Sequence, residues 1–231
     1  MPFTPSANEE EMCRRFIELR HRLIEIKNKQ NLPETDGRVQ ILNNIAWATV
    51  SIITRLNIML ALNNKRIPHN TVKQLLGLSS GDLKLPLETD MLIIRLGVIT
   101  LFQFQLETLL KNILEKITNN PPPSNYWDIT EKILRELSIK SRIKKHRTLN
   151  VIATMRNCLH SNGIHTKKTK QITVDGHKMR FVRGKTYEGA TLDEIHFLIN
   201  HILTILEEIL EHPTVKGLTM PVPSQFMPRI T

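Results

Sequence analysis

The chain has 231 residues, of which 40% are hydrophobic and 5% aromatic. This length suits one large domain or two small ones, and the nine glycines are too few for a turn-rich all-β fold. The formal net charge is +10, and the excess lies at positions 140–185, where thirteen Lys and Arg accompany one acid, Asp175. A local basic block is typical of a protein that binds a polyanion, although a solvated basic face has the same composition.

Membrane and secretion signals are weak in this sequence. The charge-free apolar run at positions 96–106 is too short to span a bilayer. The N-terminus, Met1-Pro2-Phe3-Thr4-Pro5, has neither a basic start nor an apolar h-region, so we expect no signal peptide. Cys13 and Cys158 form no metal or disulfide pattern. We therefore expect a cytoplasmic protein with reduced thiols and without a membrane partner.

The first half of the chain is predicted to be helical. Positions 8–30 show apolar residues at spacings of three and four, and positions 38–64 form a second, more apolar helix. A short helix is expected at positions 68–77. Positions 87–118 carry the longest and most apolar pattern, so this helix is expected to be central. Three prolines at positions 121–123 must end it.

The second half is predicted to hold two helices, at positions 128–139 and 144–161, followed by a β-hairpin. Gly163 suits the left-handed residue after a helix. Positions 171–174 and 177–181 alternate in polarity around a two-residue Asp-Gly turn. In that register one face is formed by Ile172, Val174, His177, Met179 and Phe181. A lone hairpin is marginally stable, so this face must pack on the helices or on a second subunit.

A capping box, Thr191-x-x-Glu194, opens a final amphipathic helix. After Pro213 the chain is predicted to be an unstructured tail at positions 214–231. We therefore expect an all-α helical bundle at positions 1–213, with a small basic hairpin inserted at positions 164–189 between the last two long helices.

The strongest functional signal is the octet Arg156-Asn157-Cys158-Leu159-His160-Ser161-Asn162-Gly163, which ends an apolar helix. Residues four apart lie on one helical face, so Arg156 and His160 are expected to project together. Arginine binds phosphate through a fork of donors, and histidine exchanges a proton near neutral pH. This pair has the chemistry needed to act on a phosphodiester.

Metal-independent RNA cleavage needs a base that activates the 2′-hydroxyl and a cation that stabilises the charged phosphorane. We assign His160 as the base or acid and Arg156 as the phosphate-holding cation. Asn157 lies about 100° around the helix and is placed to orient the pair or to reach a partner subunit. A dimer provides two histidines in one cleft, one as base and one as acid.

The basic segment supplies the expected nucleic-acid-binding residues. The basic residues near the start of the helix that carries Arg156 and His160 are expected to contact phosphates rather than bases, because no aromatic residue lies nearby in the sequence to stack a base. The predicted set is Lys144, Lys145, Arg147, Lys167, Lys168, Lys170, Arg180 and Arg183.

The motif residues and their neighbours also have simpler, structural interpretations. Arg156 and His160 in a last helical turn interact favourably with the helix dipole. His160 and His165 have no third partner for a zinc site, so neither a metal nor another cofactor is expected. Glu107, in the central helix, is either a buried partner of Arg156 or a surface residue.

The order of motifs resembles the HEPN superfamily. The residues that carry the resemblance are Arg156, Asn157, His160, Asn162 and Gly163, then Gly184-Lys185-Thr186-Tyr187 and the helix from Leu192, over about the last 120 residues. The resemblance implies an all-α bundle that often dimerises. It also implies a metal-independent endoribonuclease of a toxin, antiviral or RNA-processing system, with an antitoxin or another protein as a possible partner.

One departure from that family pattern is visible. The family has four to six residues between Arg and His, whereas three stand between Arg156 and His160. The short spacing fits either a subfamily with the pair one turn apart or a member that has lost catalysis. The alternative function is therefore a non-catalytic helical module that binds a partner protein or nucleic acid. A DNA-binding regulator is less favoured, because no helix-turn-helix pattern is present.

Overall fold

The computed structural model describes residues 8–64, 84–161, 163–187 and 190–218, with positions 66, 68, 70, 71 and 74, and only the backbone at 63 and 84–91. These residues form an all-α bundle with one small antiparallel hairpin. The helices are α1 (Glu9–Lys29), α2 (Gly37–Asn63), α3 (Lys84–Thr118), α4 (Tyr126–Glu136), α5 (Arg142–His160), α6 (Leu192–Glu211) and α7 (Pro213–Lys216), and the strands are β1 (Lys170–Val174) and β2 (His177–Phe181). The predicted fold class is confirmed.

The helix at the centre of the bundle is α3, as its apolar pattern predicts. It packs against α2, α4, α5, α6 and α7. Its buried residues follow the spacing of three and four, from Ile99 and Phe102 through Leu106 to Leu110 and Ile113. Such a stripe removes apolar surface from water on several sides of one helix, which stabilises the bundle.

Side-chain caps begin several of the helices. Asn8 Oδ1 accepts a hydrogen bond from the Glu11 backbone N–H at 3.0 Å, and Asn125 Oδ1 accepts one from Asp128 at 2.9 Å. Each satisfies a backbone donor that has no partner within the helix. Thr191 Oγ1 likewise accepts from the Glu194 N–H at 3.2 Å, which confirms the first half of the predicted capping box.

The Glu194 carboxylate departs from that capping box. The Tyr187 hydroxyl donates to Glu194 Oε2 at 2.5 Å, and His177 Nε2 lies 2.8 Å from Glu194 Oε1. The carboxylate therefore ties α6 to the hairpin. Burial, and then the charge of Glu194, raise the pKa of Tyr187, so this hydroxyl is held as a donor.

The hairpin has the predicted register and packs on the helices. Ile172 pairs with Met179 and Val174 with His177 across the two strands. Ile172, Val174, Met179 and Phe181 are buried in the main core, and β1 lies against α5. Packing on the bundle supplies the stability that an isolated hairpin lacks.

The segment after α5 is hydrogen-bonded to the segment after β2. Gly163 has a φ of +82°, its carbonyl accepts from the Tyr187 N–H at 2.9 Å, and the His165 N–H donates to the Lys185 carbonyl at 3.0 Å. Ile164 and Thr186 form an antiparallel bridge. The segment between α5 and β1 and the segment after β2 are thus held side by side.

The end of the ordered fold differs from the prediction. The predicted tail begins at position 214, but α7 occupies Pro213–Lys216 and Val215 is fully buried. Arg38 Nη1 donates to the Val215 carbonyl at 3.0 Å, so this turn docks on the start of α2 through a buried contact that the sequence pattern does not reveal. The short helix predicted at 68–77, Asn162, and positions 219–231 lie wholly or mostly outside the described residues.

Two helices are long and apolar enough to cross a membrane by length and composition, at Gly37–Leu62 and Leu92–Thr118. Core helices of bundles pass the same test, and both have buried faces in this fold. The absence of a membrane partner and the cytoplasmic location stay predictions.

Candidate nucleic-acid interface

A groove of about 530 Å³ opens between α3, α4, α5 and the residues that lead into β1. Four of the predicted site residues line it, namely Arg156, Asn157, Lys167 and Lys170. Such a volume is in the range of small-molecule sites. The fold therefore brings the arginine of the motif together with two lysines of the basic segment.

Arg156 is held on two sides in this groove. The guanidinium carbon lies 5.5 Å from the centre of the Phe104 ring, in the range of a cation–π contact. Nη2 donates to Asn157 Oδ1 at 2.9 Å, and the role of Asn157 in orienting the pair or in reaching a partner subunit stays a prediction. Nε is buried, and no described residue accepts a hydrogen bond from it. The arginine is thus held in place while its buried Nε–H donor has no acceptor among the described residues.

Lys170 carries a partly buried positive charge at the same groove. Its Nζ donates to Thr154 Oγ1 at 2.9 Å. Burial first, and the charge of Lys167 second, lower the pKa of Lys170, while Cys158 acts weakly in the opposite direction. A bound anion would offset both the desolvation and the repulsion between the two lysines. The groove thus carries a partly buried positive charge that an anionic group would stabilise.

Glu107 also lines the groove but is not paired with Arg156. Lys111 Nζ lies 2.8 Å from Glu107 Oε1, and Gln103 Nε2 donates to Glu107 Oε2 at 2.8 Å. The charge of Glu107 adds to burial in raising the pKa of Tyr126, whose hydroxyl donates to the Leu149 carbonyl at 3.2 Å. This acid is therefore engaged within α3, which leaves the cations of the groove for a ligand.

His160 stands apart from these residues. It is the last residue of α5 and is exposed, whereas Arg156 is half-buried one turn earlier. His160 is not among the residues that line the groove. The two members of the motif therefore share a helical face but not one enclosed pocket.

The other predicted nucleic-acid-binding residues are spread over different surfaces. Lys145 is ion-paired with Glu208, and Lys144 Nζ lies 4.0 Å from Asp175 Oδ1. Both line a second cavity of about 390 Å³ that shares no residue with the groove. The remaining members are exposed, at Arg147, Lys168, Arg180 and Arg183. The basic segment thus does not form a single site.

His165 has a packing role that its spacing does not reveal. It is 3% exposed; its Nδ1 lies 3.5 Å from Cys158 Sγ and its Nε2 lies 3.0 Å from the Lys168 carbonyl. A carbonyl only accepts, so Nε2 carries the proton and Nδ1 accepts from the thiol. Burial raises the pKa of Cys158. Among the described residues, no group of three His, Cys, Asp or Glu is arranged to hold a metal ion.

Sequence reasoning missed the aromatic side chains of the groove. Phe104 and Trp127 are 45% and 50% exposed and both line it. They belong to α3 and α4, far in sequence from the basic segment, so local inspection finds no aromatic platform there. One signal was present, because Phe104 falls outside the buried stripe that runs through Phe102 and Leu106. An aromatic residue off the buried stripe of a helix is expected to be exposed, as Phe104 is.

The fold and this groove define a helical bundle with a small, partly aromatic, cationic cleft. No family model matches the chain, and comparisons with curated proteins and with solved structures give no match. Membership of the HEPN superfamily therefore stays a prediction that rests on the motif residues.

Proposed function

We propose that this protein binds RNA in the groove of Arg156, Lys167 and Lys170, as an HEPN-like protein. The observation that carries the proposal is the convergence of these three cations, from α5 and from the approach to β1, in one groove of about 530 Å³. Phosphate contacts supply most of the affinity of proteins for nucleic acids. The lowered pKa of Lys170 supports an anionic ligand.

The aromatic residues of the groove favour a nucleic acid over a free anion. Phe104 contacts the Arg156 guanidinium, and Trp127, which is 50% exposed, lines the same groove. Proteins that bind single strands combine a cationic groove with aromatic side chains that stack on bases. We therefore propose an unpaired RNA segment as the ligand.

RNA cleavage without metal is the second step of the proposal. Arg156 holds the scissile phosphate, and His160, one helical turn away, exchanges the proton of the 2′-hydroxyl or of the leaving oxygen. Because His160 is exposed and outside the groove lining, we propose that a second copy of the chain completes the site. An exposed apolar stripe on α3, formed by Ile93, Leu101 and Phe104, reaches the groove and supports such pairing.

The test is incubation of the purified protein with unstructured RNA in the presence of EDTA. We expect products that end in a 2′,3′-cyclic phosphate, and we expect this cleavage to disappear in His160→Ala while RNA binding persists. Arg156→Ala is expected to lose both binding and cleavage. Arg14→Ala is the matched control, because it removes one exposed charge on α1, and no residue of α1 lines the groove.

Three outcomes separate the functions. RNA binding that depends on Arg156 without cleavage supports the non-catalytic module. Equal binding of RNA and of single-stranded DNA, with no cleavage of either, argues against an RNA-specific function. If Arg156→Ala and His160→Ala cleave like wild type, the assignment of these residues fails.

A further inference from the structure

The Gln103 side chain lies in the wall of the groove with its orientation set by a neighbouring acid. It is 2% exposed, and its Nε2 donates to Glu107 Oε2 at 2.8 Å. A carboxylate only accepts hydrogen bonds, so the nitrogen of the Gln103 amide must face Glu107 and the oxygen must face away. Lys111, at 2.8 Å from Glu107 Oε1, holds the carboxylate in turn.

The oxygen of this amide has no donor. Gln103 Oε1 is buried, and no described residue donates a hydrogen bond to it. An unsatisfied buried acceptor destabilises a fold by about 1–3 kcal/mol, so such atoms in native proteins need an explanation. Arg156 Nε is the complementary case, a buried donor without an acceptor, and both residues line the same groove.

These two orphan atoms constrain the ligand. A phosphate oxygen satisfies Arg156 Nε, but an ionised phosphate diester has no hydrogen to offer Gln103 Oε1. Nucleobase edges carry an N–H donor beside an acceptor, and a ribose 2′-hydroxyl also donates. A ligand that satisfies both atoms must therefore carry a hydrogen-bond donor for Gln103 Oε1 as well as a negative charge.

We propose that Gln103 is a base-reading residue, which accepts a hydrogen bond from the N–H of an unpaired nucleobase in the groove. This inference rests on the proposed RNA binding and adds the group that is recognised. Gln103 then sets specificity, whereas Lys167 and Lys170 supply affinity that does not depend on the base. The Lys111–Glu107–Gln103 chain positions the acceptor and prevents the amide from turning over.

The experiment compares the affinities of short fluorescent oligonucleotides by anisotropy. The ligands are four RNA homopolymers of equal length and an abasic ribose-phosphate chain, which keeps the phosphates and 2′-hydroxyls but lacks the bases. Wild type is expected to bind one homopolymer about tenfold more tightly than the other three, in line with the usual cost of one lost base contact. Gln103→Met, which keeps the length and removes the acceptor, is expected to bind all four homopolymers about equally, and still more tightly than the abasic chain, because stacking on Phe104 and Trp127 remains.

Two controls separate base reading from a general loss of structure. Affinity for the abasic chain should be unchanged in Gln103→Met, because the phosphate contacts remain. Gln105→Met removes an equally buried glutamine of the same helix, which accepts from Asn44 Nδ2 at 3.3 Å outside the groove; it should keep the base preference. If Gln103→Met does not fold, Glu107→Gln replaces it, because an amide at position 107 permits both orientations of Gln103 and should reduce the preference.

The results distinguish this inference from the proposed function. Wild type that binds neither homopolymers nor the abasic chain contradicts RNA binding, and base reading falls with it. Wild type that binds the four homopolymers equally tightly contradicts base reading alone. A preference that survives in the folded Gln103→Met variant, or in Glu107→Gln where that variant is used, also overturns it.

Discussion

Lys170 Nζ donates a hydrogen bond to Thr154 Oγ1 over 2.9 Å, which joins the first residue of β1 to the helix that carries Arg156. This contact holds a cation of the hairpin in the groove that Arg156 also lines. It spans sixteen positions of the chain and depends on the packing of β1 against α5. The cationic groove is thus a product of that packing.

Replacing Lys170 should raise the stability of the fold and weaken RNA binding. A lysine whose pKa is lowered by burial and by Lys167 destabilises the folded state at pH values below its folded-state pKa, and this penalty is lost as the pH rises from the folded-state pKa to the unfolded-state pKa. Lys170→Met keeps the apolar stem and removes the charge. We expect a higher melting temperature together with weaker RNA binding, and a salt dependence of binding reduced by about one phosphate contact.

Melting curves and anisotropy titrations at several salt concentrations measure both effects in the same preparations. Lys132→Met, on α4, is the control for a general loss of charge, since Lys132 is not among the residues that line the groove. A Lys170→Met variant that binds RNA like wild type would remove Lys170 from the interface.

Arg156→Lys tests whether the groove needs a guanidinium rather than a charge. Lysine keeps the positive charge but loses the planar fork that contacts Phe104 and Asn157. We expect RNA affinity to fall about tenfold, which corresponds to about 1.4 kcal/mol. Anisotropy measures this loss, and equal affinity of the two proteins would argue that only charge matters at position 156.

The stability of the bundle should fall in mild acid because of His196. Burial first, and the charge of Arg15 second, lower the pKa of His196 below its ordinary value of 6.5. Asn200 Nδ2 lies 3.0 Å from His196 Nε2, and an amide nitrogen donates, so that ring nitrogen must be unprotonated. As the pH falls below about 6.5, the unfolded chain takes up a proton that the folded chain resists, and stability decreases down to the folded-state pKa.

Urea unfolding at about pH 7.5 and about pH 5 measures this loss. His196→Gln keeps an acceptor for Asn200 and does not titrate, so its loss between the two pH values should be smaller than that of wild type. If both proteins lose the same stability, other groups are responsible for the acid sensitivity.

The buried pair of Asp36 and Arg38 should dominate the stability of the α2 terminus. Arg38 Nε and Nη2 donate to the two carboxylate oxygens of Asp36 at 3.0 and 2.8 Å, and both residues are 2% exposed. Asp36→Asn keeps a helix cap but leaves the Arg38 charge unpaired. We expect a loss of about 3–5 kcal/mol in the free energy of unfolding, the usual cost of breaking a buried ion pair.

Denaturant titration measures this change. Glu18→Gln is the matched control, because it breaks an exposed pair with Arg14, whose side chains are 58% and 62% exposed. Exposed pairs contribute little to stability, so this variant should unfold close to wild type. A similar effect of both substitutions would contradict the assigned role of burial.

Two glycines should respond in opposite ways to alanine. Gly163 has a φ of +82°, and an added Cβ would lie 3.2 Å from Thr186 Cγ2, so Gly163→Ala should destabilise the fold by about 1–2 kcal/mol. Gly97 lies within α3, and a Cβ there meets nothing within 4 Å. Gly97→Ala should therefore stabilise the fold by about 0.5–1 kcal/mol. Thermal melts of the two variants compare these effects directly.

Local patterns in this chain predict its elements well. The spacing of apolar residues located the long helices, and the alternation around Asp175-Gly176 predicted the hairpin with the register that the structure has. These patterns succeed because helix and strand periodicity depends on neighbours within a few positions. The buried contact of Val215 with Arg38 escaped them, since both partners lie at opposite ends of the chain.

The full set of groove residues could not be predicted from local patterns. The motif predicts Arg156, Asn157 and His160 as site residues, but which side chains meet depends on how the elements pack, and His160 does not line the groove. Packing of α3 and α4 against α5 brings Gln103, Phe104 and Trp127 to the groove, while Lys144 and Lys145 face acids at another cavity. A side chain's partners are set by distances between elements, and only the folded chain contains those distances.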